Sequence, residues 1–220
     1  MSDVSKTAPT VNKQVIRAIV LVSILAGCSW YSSNQTDATS SSHMTTLIHL
    51  VAFSSWFGCS VWVSFVSGLV MFKNLPRHVF GRLQSKLFPA FFQFSTVTVI
   101  LAIATSSAVG GGSTASDNDL PYSLIIVLAC TLLNLLFFEP ETTRVMYKRH
   151  AIEKRLGTGH EVGKLRPEDP NKANNPELKA ISKTFGMLHG ISSSLSLITL
   201  GFGCVWLSKC ASQMAGLASN

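Results

Sequence analysis

The chain has 220 residues, a formal net charge of +7, only 13% charged residues and a mean hydropathy of +0.33. The charged share is about half that of a soluble domain, which excludes an ordinary soluble fold. The positive excess needs no nucleic acid, because membrane topology accounts for where the basic residues fall.

Four stretches contain no Asp, Glu, Lys or Arg: Thr45–Phe72, Leu87–Ser116, Leu120–Phe138 and Thr184–Ser208. A hydrocarbon core about 30 Å thick needs roughly 20 apolar helical residues, so each stretch can span. Backbone groups in lipid must pair internally, which leaves helices or closed barrels. Barrel strands alternate apolar and polar residues, and these runs do not. The sequence therefore predicts an all-α polytopic bundle of four core helices plus one N-terminal anchor helix.

In chain order, residues 1–46 form an extension. Lys6, Lys13 and Arg17 accompany a short apolar run, Val15–Tyr31. We read Ile16–Trp30 as a retained signal anchor, although its length also fits a cleaved signal peptide. Leu25-Ala26-Gly27-Cys28 resembles a bacterial lipoprotein processing site. A Ser/Thr-rich outer loop, Ser32–Thr46, follows and carries a glycosylation acceptor triplet at Asn34.

The four-helix domain covers residues 47–208, and residues 209–220 form a short tail. In the first core run, Ser54, Ser55, Gly58, Gly68 and their small neighbours are expected to let helices approach closely. Trp56 and Trp62 add bulk to that run. A basic hairpin, Lys73–Lys86, is expected to be broken by Pro76 and Gly81. Its Lys73, Arg77, His78, Arg82 and Lys86 are placed against anionic headgroups. Pro89 is expected near the start of the next helix, where a missing amide costs little. Gly110-Gly111-Gly112 ends that helix. Pro140 is expected to end the fourth run, with a separate charged helix over Glu141–Leu156. Gly157–Glu177 reads as a turn-rich linker, and Phe185–Leu207 as the last span, with Gly186 and Gly190 on a packing face.

If Ile16–Trp30 spans, the loops alternate sides. The N-terminus, Lys73–Lys86 and the loop 139–183 then share one face and hold 17 of the 18 Lys and Arg residues. The positive-inside rule makes that face cytosolic. The opposite loops, Ser32–Thr46 and Gly110–Asp119, carry acids and no Lys or Arg.

Several strings carry a resemblance. They are Leu47-Ile48-His49-Leu50, Trp62-Val63-Ser64-Phe65-Val66-Ser67-Gly68, Leu75-Pro76-Arg77-His78-Val79-Phe80-Gly81 and Gln84-Ser85-Lys86-Leu87-Phe88-Pro89. Asn134, Glu139-Pro140-x-Thr142-Thr143 and His189-Gly190-x-Ser192-Ser193 follow. In that order the chain resembles the transmembrane protein 205-like family of eukaryotic four-helix membrane proteins. The resemblance implies links to platinum-drug resistance in animal members and to lipid homeostasis in fungal ones. It implies an endoplasmic reticulum or other endomembrane location, with a mitochondrial membrane as the alternative. It carries over no catalytic residue.

Gln93, Asn134, Glu139 and His189 are predicted to form a polar intramembrane cluster near the cytosolic ends of their helices, with Glu139 paired to His189. His49 is expected apart from them, in the interface. No catalytic constellation, cofactor motif or metal-ligand spacing is found, and Cys28, Cys59, Cys130, Cys204 and Cys210 are scattered singly. The function expected is non-enzymatic, in lipid homeostasis or membrane organisation, with membrane lipids as partners and homo- or hetero-oligomers possible. The alternatives are a small exporter of soft metal species, using Cys59, Cys130, Cys204 and Met187, or an accessory subunit of a membrane complex. The topology is testable in a background with the native cysteines replaced. Impermeant thiol labelling from outside should reach Ser113→Cys and miss Ser85→Cys; labelling of Ser85→Cys overturns it.

Overall fold

The computed structural model describes residues 38–110, 121–163 and 175–218. Among them are four helical stretches long and apolar enough to cross a membrane: His43–Asn74, Arg77–Ala104, Tyr122–Arg155 and Pro176–Gln213. The elements in order are α1 (Ala38–Trp62), a π-helical turn (Val63–Ser67), α2 (Gly68–Asn74), α3 (Arg77–Ala104) and α4 (Ser107–Gly110). After these come α5 (Tyr122–Leu133), a second π-helical turn (Asn134–Phe138), α6 (Glu139–Arg155) and α7 (Pro176–Ala218). The anchor Ile16–Trp30, the triplet at Asn34 and Cys28 lie outside the described residues.

The helices run longer than the apolar patterns predict. α1 begins at Ala38, so the last part of the Ser/Thr-rich loop is helical. α7 spans 43 residues, about 64 Å at 1.5 Å per residue, far more than a hydrocarbon core requires. Pro140 does not end its helix. Just before it, the Glu139 N–H bonds back five residues to the Asn134 carbonyl. The wider π turn relieves the clash a proline ring makes with the carbonyl four residues back. Pro89 likewise lies inside α3, because that helix starts at Arg77. Gly81 is helical too, so the break in the hairpin is at Leu75-Pro76 alone.

Polar side chains within these helices turn back onto their own backbones. Ser54 Oγ donates to the Leu50 carbonyl at 2.6 Å, Thr98 Oγ1 to Phe94 at 2.9 Å and Ser106 Oγ to Ile103 at 2.8 Å. Such bonds satisfy a hydroxyl where water is absent.

The described residues form two compact units. The first comprises the chain up to Gly58, Gln93–Ala129, and Thr199 onward. Its core is Ala52, Phe53, Trp56, Val99, Ala102, Leu124, Val127, Trp206 and Cys210. His49 is wholly buried beside this core. Trp206 Nε1–H donates to His49 Nε2 at 3.0 Å, and His49 Nδ1 lies 3.0 Å from the Ala102 carbonyl. Indole is only a donor, so Nε2 is the acceptor and Nδ1 carries the proton. His49 therefore ties α1 to α3 and α7. Trp56 is buried but Trp62 is 60% exposed, so the two tryptophans do not share a role. A Cβ at Gly203 would lie 2.9 Å from the Trp56 ring, so α7 needs a glycine where it meets Trp56 of α1. The predicted packing glycines differ: Cβ atoms at Gly58, Gly186 and Gly190 would meet nothing within 4 Å.

The second unit comprises Cys59–Phe92 and Cys130–Ile198. It contains the basic hairpin, α6 and the start of α7. Ser85 is buried there, and its Oγ lies 2.9 Å from Tyr147 Oη. Its exposed neighbour Lys86 is thus the position at which cysteine accessibility reports topology.

Trp206→Phe should leave the buried His49 nitrogen without a donor and cost about 1–3 kcal/mol. Gly203→Val should also lower the melting temperature in detergent, whereas Gly201→Val, beside open space, should not. Equal melting temperatures for all three variants would refute this packing.

Candidate functional site: a buried carboxylate at the basic hairpin

The hairpin starts from a proline constraint. Leu75 precedes Pro76 and is extended, at φ −112° and ψ 142°, as a pre-proline residue prefers. α3 then begins at Arg77 with unpaired backbone amides. They are met by the segment after α6. The Arg77 N–H donates to the Glu161 carbonyl at 2.9 Å and the His78 N–H to the Gly159 carbonyl at 3.2 Å. Pro76 and Val162 form an isolated antiparallel bridge. The return requires left-handed backbone at Gly159, φ 101°, where a Cβ would lie 2.0 Å from the His78 ring. The part of the expected linker up to Gly163 is thus folded onto the hairpin.

This return closes over Glu153, which has no solvent exposure. An isolated carboxylate there would be strongly unfavourable. Glu153 Oε1 accepts from Arg77 Nη2 at 2.6 Å and from Arg149 Nε at 3.1 Å. Oε2 lies 2.9 Å from His78 Nε2. Arg149 reaches Glu153 across one helical turn, while Arg77 and His78 come from the far side of the sequence. The Arg149 guanidinium also lies 4.8 Å over the Phe185 ring of α7. His150 stands with its ring centroid 4.4 Å from that of His78.

The basic set expected at the headgroups therefore divides. Arg77 and His78 are only 13% and 18% exposed, and they turn inward to Glu153. Lys73, Arg82 and Lys86 are exposed.

The expected polar cluster draws on both units. Gln93 belongs to the first unit, and Asn134, Glu139 and His189 to the second. Glu139 is half-buried and accepts from Thr143 Oγ1 at 2.9 Å, one turn on in its own helix. His189 stacks on Phe185 at 5.7 Å. Among the described residues, no hydrogen bond or ion pair joins Glu139 to His189. Asn134 does tie two helices together. Its Nδ2 donates to the Ser192 carbonyl at 3.2 Å and to Ser196 Oγ at 3.3 Å. Its buried Oδ1 has no partner among the described residues.

Arg149, His150 and Glu153 were not singled out by the sequence. Their one trace there is the 149/153 and 150/153 spacing, which puts them on neighbouring faces of one helix. No metal-ligand spacing was found either, yet the fold gathers His78, His150 and Glu153. Of the sulfur residues, Cys204 and Met187 are exposed, while Cys59 is half-buried and Cys130 buried.

Four apolar helices with a buried ionic cluster at a basic hairpin define a polytopic α-helical membrane protein. A family model described as a domain of unknown function, DUF4149, matches residues 51–151. Transmembrane protein 205 of the zebrafish Danio rerio is 32% identical over 170 residues, covering 72% of this chain and 86% of that protein. The chain belongs to the transmembrane protein 205 family. No solved structure matches it.

Removing a buried partner leaves an uncompensated charge, so Glu153→Ala should cost about 3–5 kcal/mol. Glu141 pairs with Arg144 at the exposed surface of α6, and Glu141→Ala should leave the melting temperature unchanged. Thermal unfolding of the two variants in the same detergent checks this.

Proposed function

We propose that this protein is a non-enzymatic membrane component that supports lipid homeostasis or membrane organisation by holding anionic lipids at its cytosolic face. The observation that carries this reading is the division of the cations. Arg77, His78 and Arg149 are consumed by Glu153, and Lys73, Arg82, Lys86, Lys148 and Lys154 are left exposed in the same unit. Beside them, Lys148, Ile152, Ile181 and the Arg155–Glu177 ion pair line an open groove of about 500 Å³ between α6 and α7. An apolar wall with the Lys148 ammonium at its rim suits an acyl chain and its phosphate. The membrane we propose is the endoplasmic reticulum or another endomembrane, with a mitochondrial membrane as the alternative.

A second reading, assembly with a copy of itself or another membrane protein, is favoured by one observation. Gly186 and Gly190 lie one turn apart on α7, exposed, with open space at both Cβ positions. Small residues at that spacing let helices of different chains approach in a bilayer.

Native mass spectrometry of the full chain, released from bilayers containing phosphatidylserine and phosphatidylcholine, tests both. Retained phosphatidylserine supports the first reading, and a dimer or hetero-complex mass supports the second. Each surface cation contributes about 1 kcal/mol. The triple variant Lys73→Gln, Arg82→Gln, Lys86→Gln should therefore bind phosphatidylserine roughly 100-fold more weakly. Unchanged retention in that variant would remove the headgroup role.

A further inference from the structure

The inner side of the same hairpin has a chemistry that lipid binding does not use. Glu153 presents its two oxygens to different neighbours. Oε1 takes both guanidinium groups, and Oε2 faces an imidazole, with His78 Nε2 at 2.9 Å. His150 stands behind His78 and makes ring contacts with His78 and Tyr147. It has no hydrogen bond or ion pair among the described residues. One potential ligand atom from each of His78, His150 and Glu153 lies within 4.8 Å of the other two.

Two glycines give these rings their space. A Cβ at Gly159 would lie 2.0 Å from the His78 ring, and one at Gly81 would lie 2.6 Å from the His150 ring. Both imidazoles thus occupy room that any side chain at residue 159 or 81 would close. His160 is a nearby third imidazole, its ring 6.0 Å from that of His78.

We propose that His78, His150 and Glu153 Oε2 form a binding site for a borderline divalent transition metal, with zinc as its reference ion. Zinc takes histidine nitrogen and carboxylate oxygen at about 2.0–2.2 Å, so two of its tetrahedral ligand atoms stand about 3.3–3.6 Å apart. The His78–Glu153 pair stands 2.9 Å apart across a hydrogen bond; the ion replaces the shared proton, which is released to solvent, and the pair opens by a few tenths of an ångström. A rotation of the His150 ring brings in the third ligand. The fourth position is left to water or to His160. Calcium and magnesium are disfavoured, since each needs more oxygen ligands than one carboxylate offers. Arg77 and Arg149 orient the carboxylate as outer-shell partners through Oε1. Their positive charge also lowers the affinity below that of an all-anionic cage.

The site does not depend on the lipid reading, and the two fail separately. The test uses the full chain in detergent, purified without a polyhistidine tag and stripped of metal by a chelator. Isothermal titration with zinc should show one ion per chain. Cobalt should give visible absorption bands of a low-symmetry nitrogen and oxygen site, without thiolate charge transfer. His150→Ala should weaken zinc binding by more than about 100-fold in chain that still folds, and zinc should raise the melting temperature of the parent but not of this variant. His43→Ala, at an exposed position, should bind as the parent does. Absence of stoichiometric zinc, thiolate bands in the cobalt spectrum, or undiminished binding in His150→Ala would each overturn the proposal. Should His150→Ala not fold, His150→Gln is read by the same criteria.

Discussion

A polar group surrounded by hydrocarbon has no water to turn to, so its partner must come from the protein. Much of the detail in this structure follows from that constraint. Serine and threonine hydroxyls bond back to carbonyls of their own helices, as at Ser54 and Thr98. The His49 imidazole is held between the Trp206 indole and the Ala102 carbonyl. Asn134 reaches the Ser192 backbone from the start of a π-helical turn. Where the backbone must pass Pro140, that turn shifts the hydrogen-bond register and keeps the helix continuous.

The same constraint applies more severely to charge. Glu153 is wholly buried, and one carboxylate serves two guanidinium groups and an imidazole. The cluster joins the start of α3 to the end of α6, and backbone bonds from residues 159 and 161 close over it. The hairpin between α2 and α3 is consequently a two-sided element. Its inner side is occupied by ion pairs and imidazoles. Its outer side keeps Lys73, Arg82 and Lys86 free for the surroundings. Buried ion pairs are weak evidence of stability, because desolvation offsets much of their attraction. They do select one geometry, since a misplaced hairpin would leave Glu153 with Arg149 as its one partner.

Membership of the transmembrane protein 205 family rests on identity along most of the chain. The structure adds a division of labour among basic residues that a count of charges does not contain. The excess of +7 reads first as topology. Within it, some cations are spent on a buried acid and others remain available to an anionic partner.

The sequence by itself determined the class, the four spans and the family. Span identity is a local property: a run without charge that is long enough to cross must be helical in lipid, whatever packs beside it. Helix ends were less legible. Pro140 and Pro89 read as boundaries because proline chemistry is local, but a π turn and an earlier helix start placed both inside helices. The pairing of Glu139 with His189 rests on their shared depth, their family-matching strings and the lack of another obvious partner. None of these reports side-chain direction, and the Glu139 carboxylate takes its hydrogen bond from Thr143 in its own helix. Only the tertiary structure decided the cluster at Glu153. Its arginine and histidine partners at 77 and 78 are separated from it by about two spans of chain. No periodicity within one helix reports which distant cation a buried acid will meet. That choice is made when α3 and α6 come together and the glycine-rich return at 157–163 fits against the His78 ring.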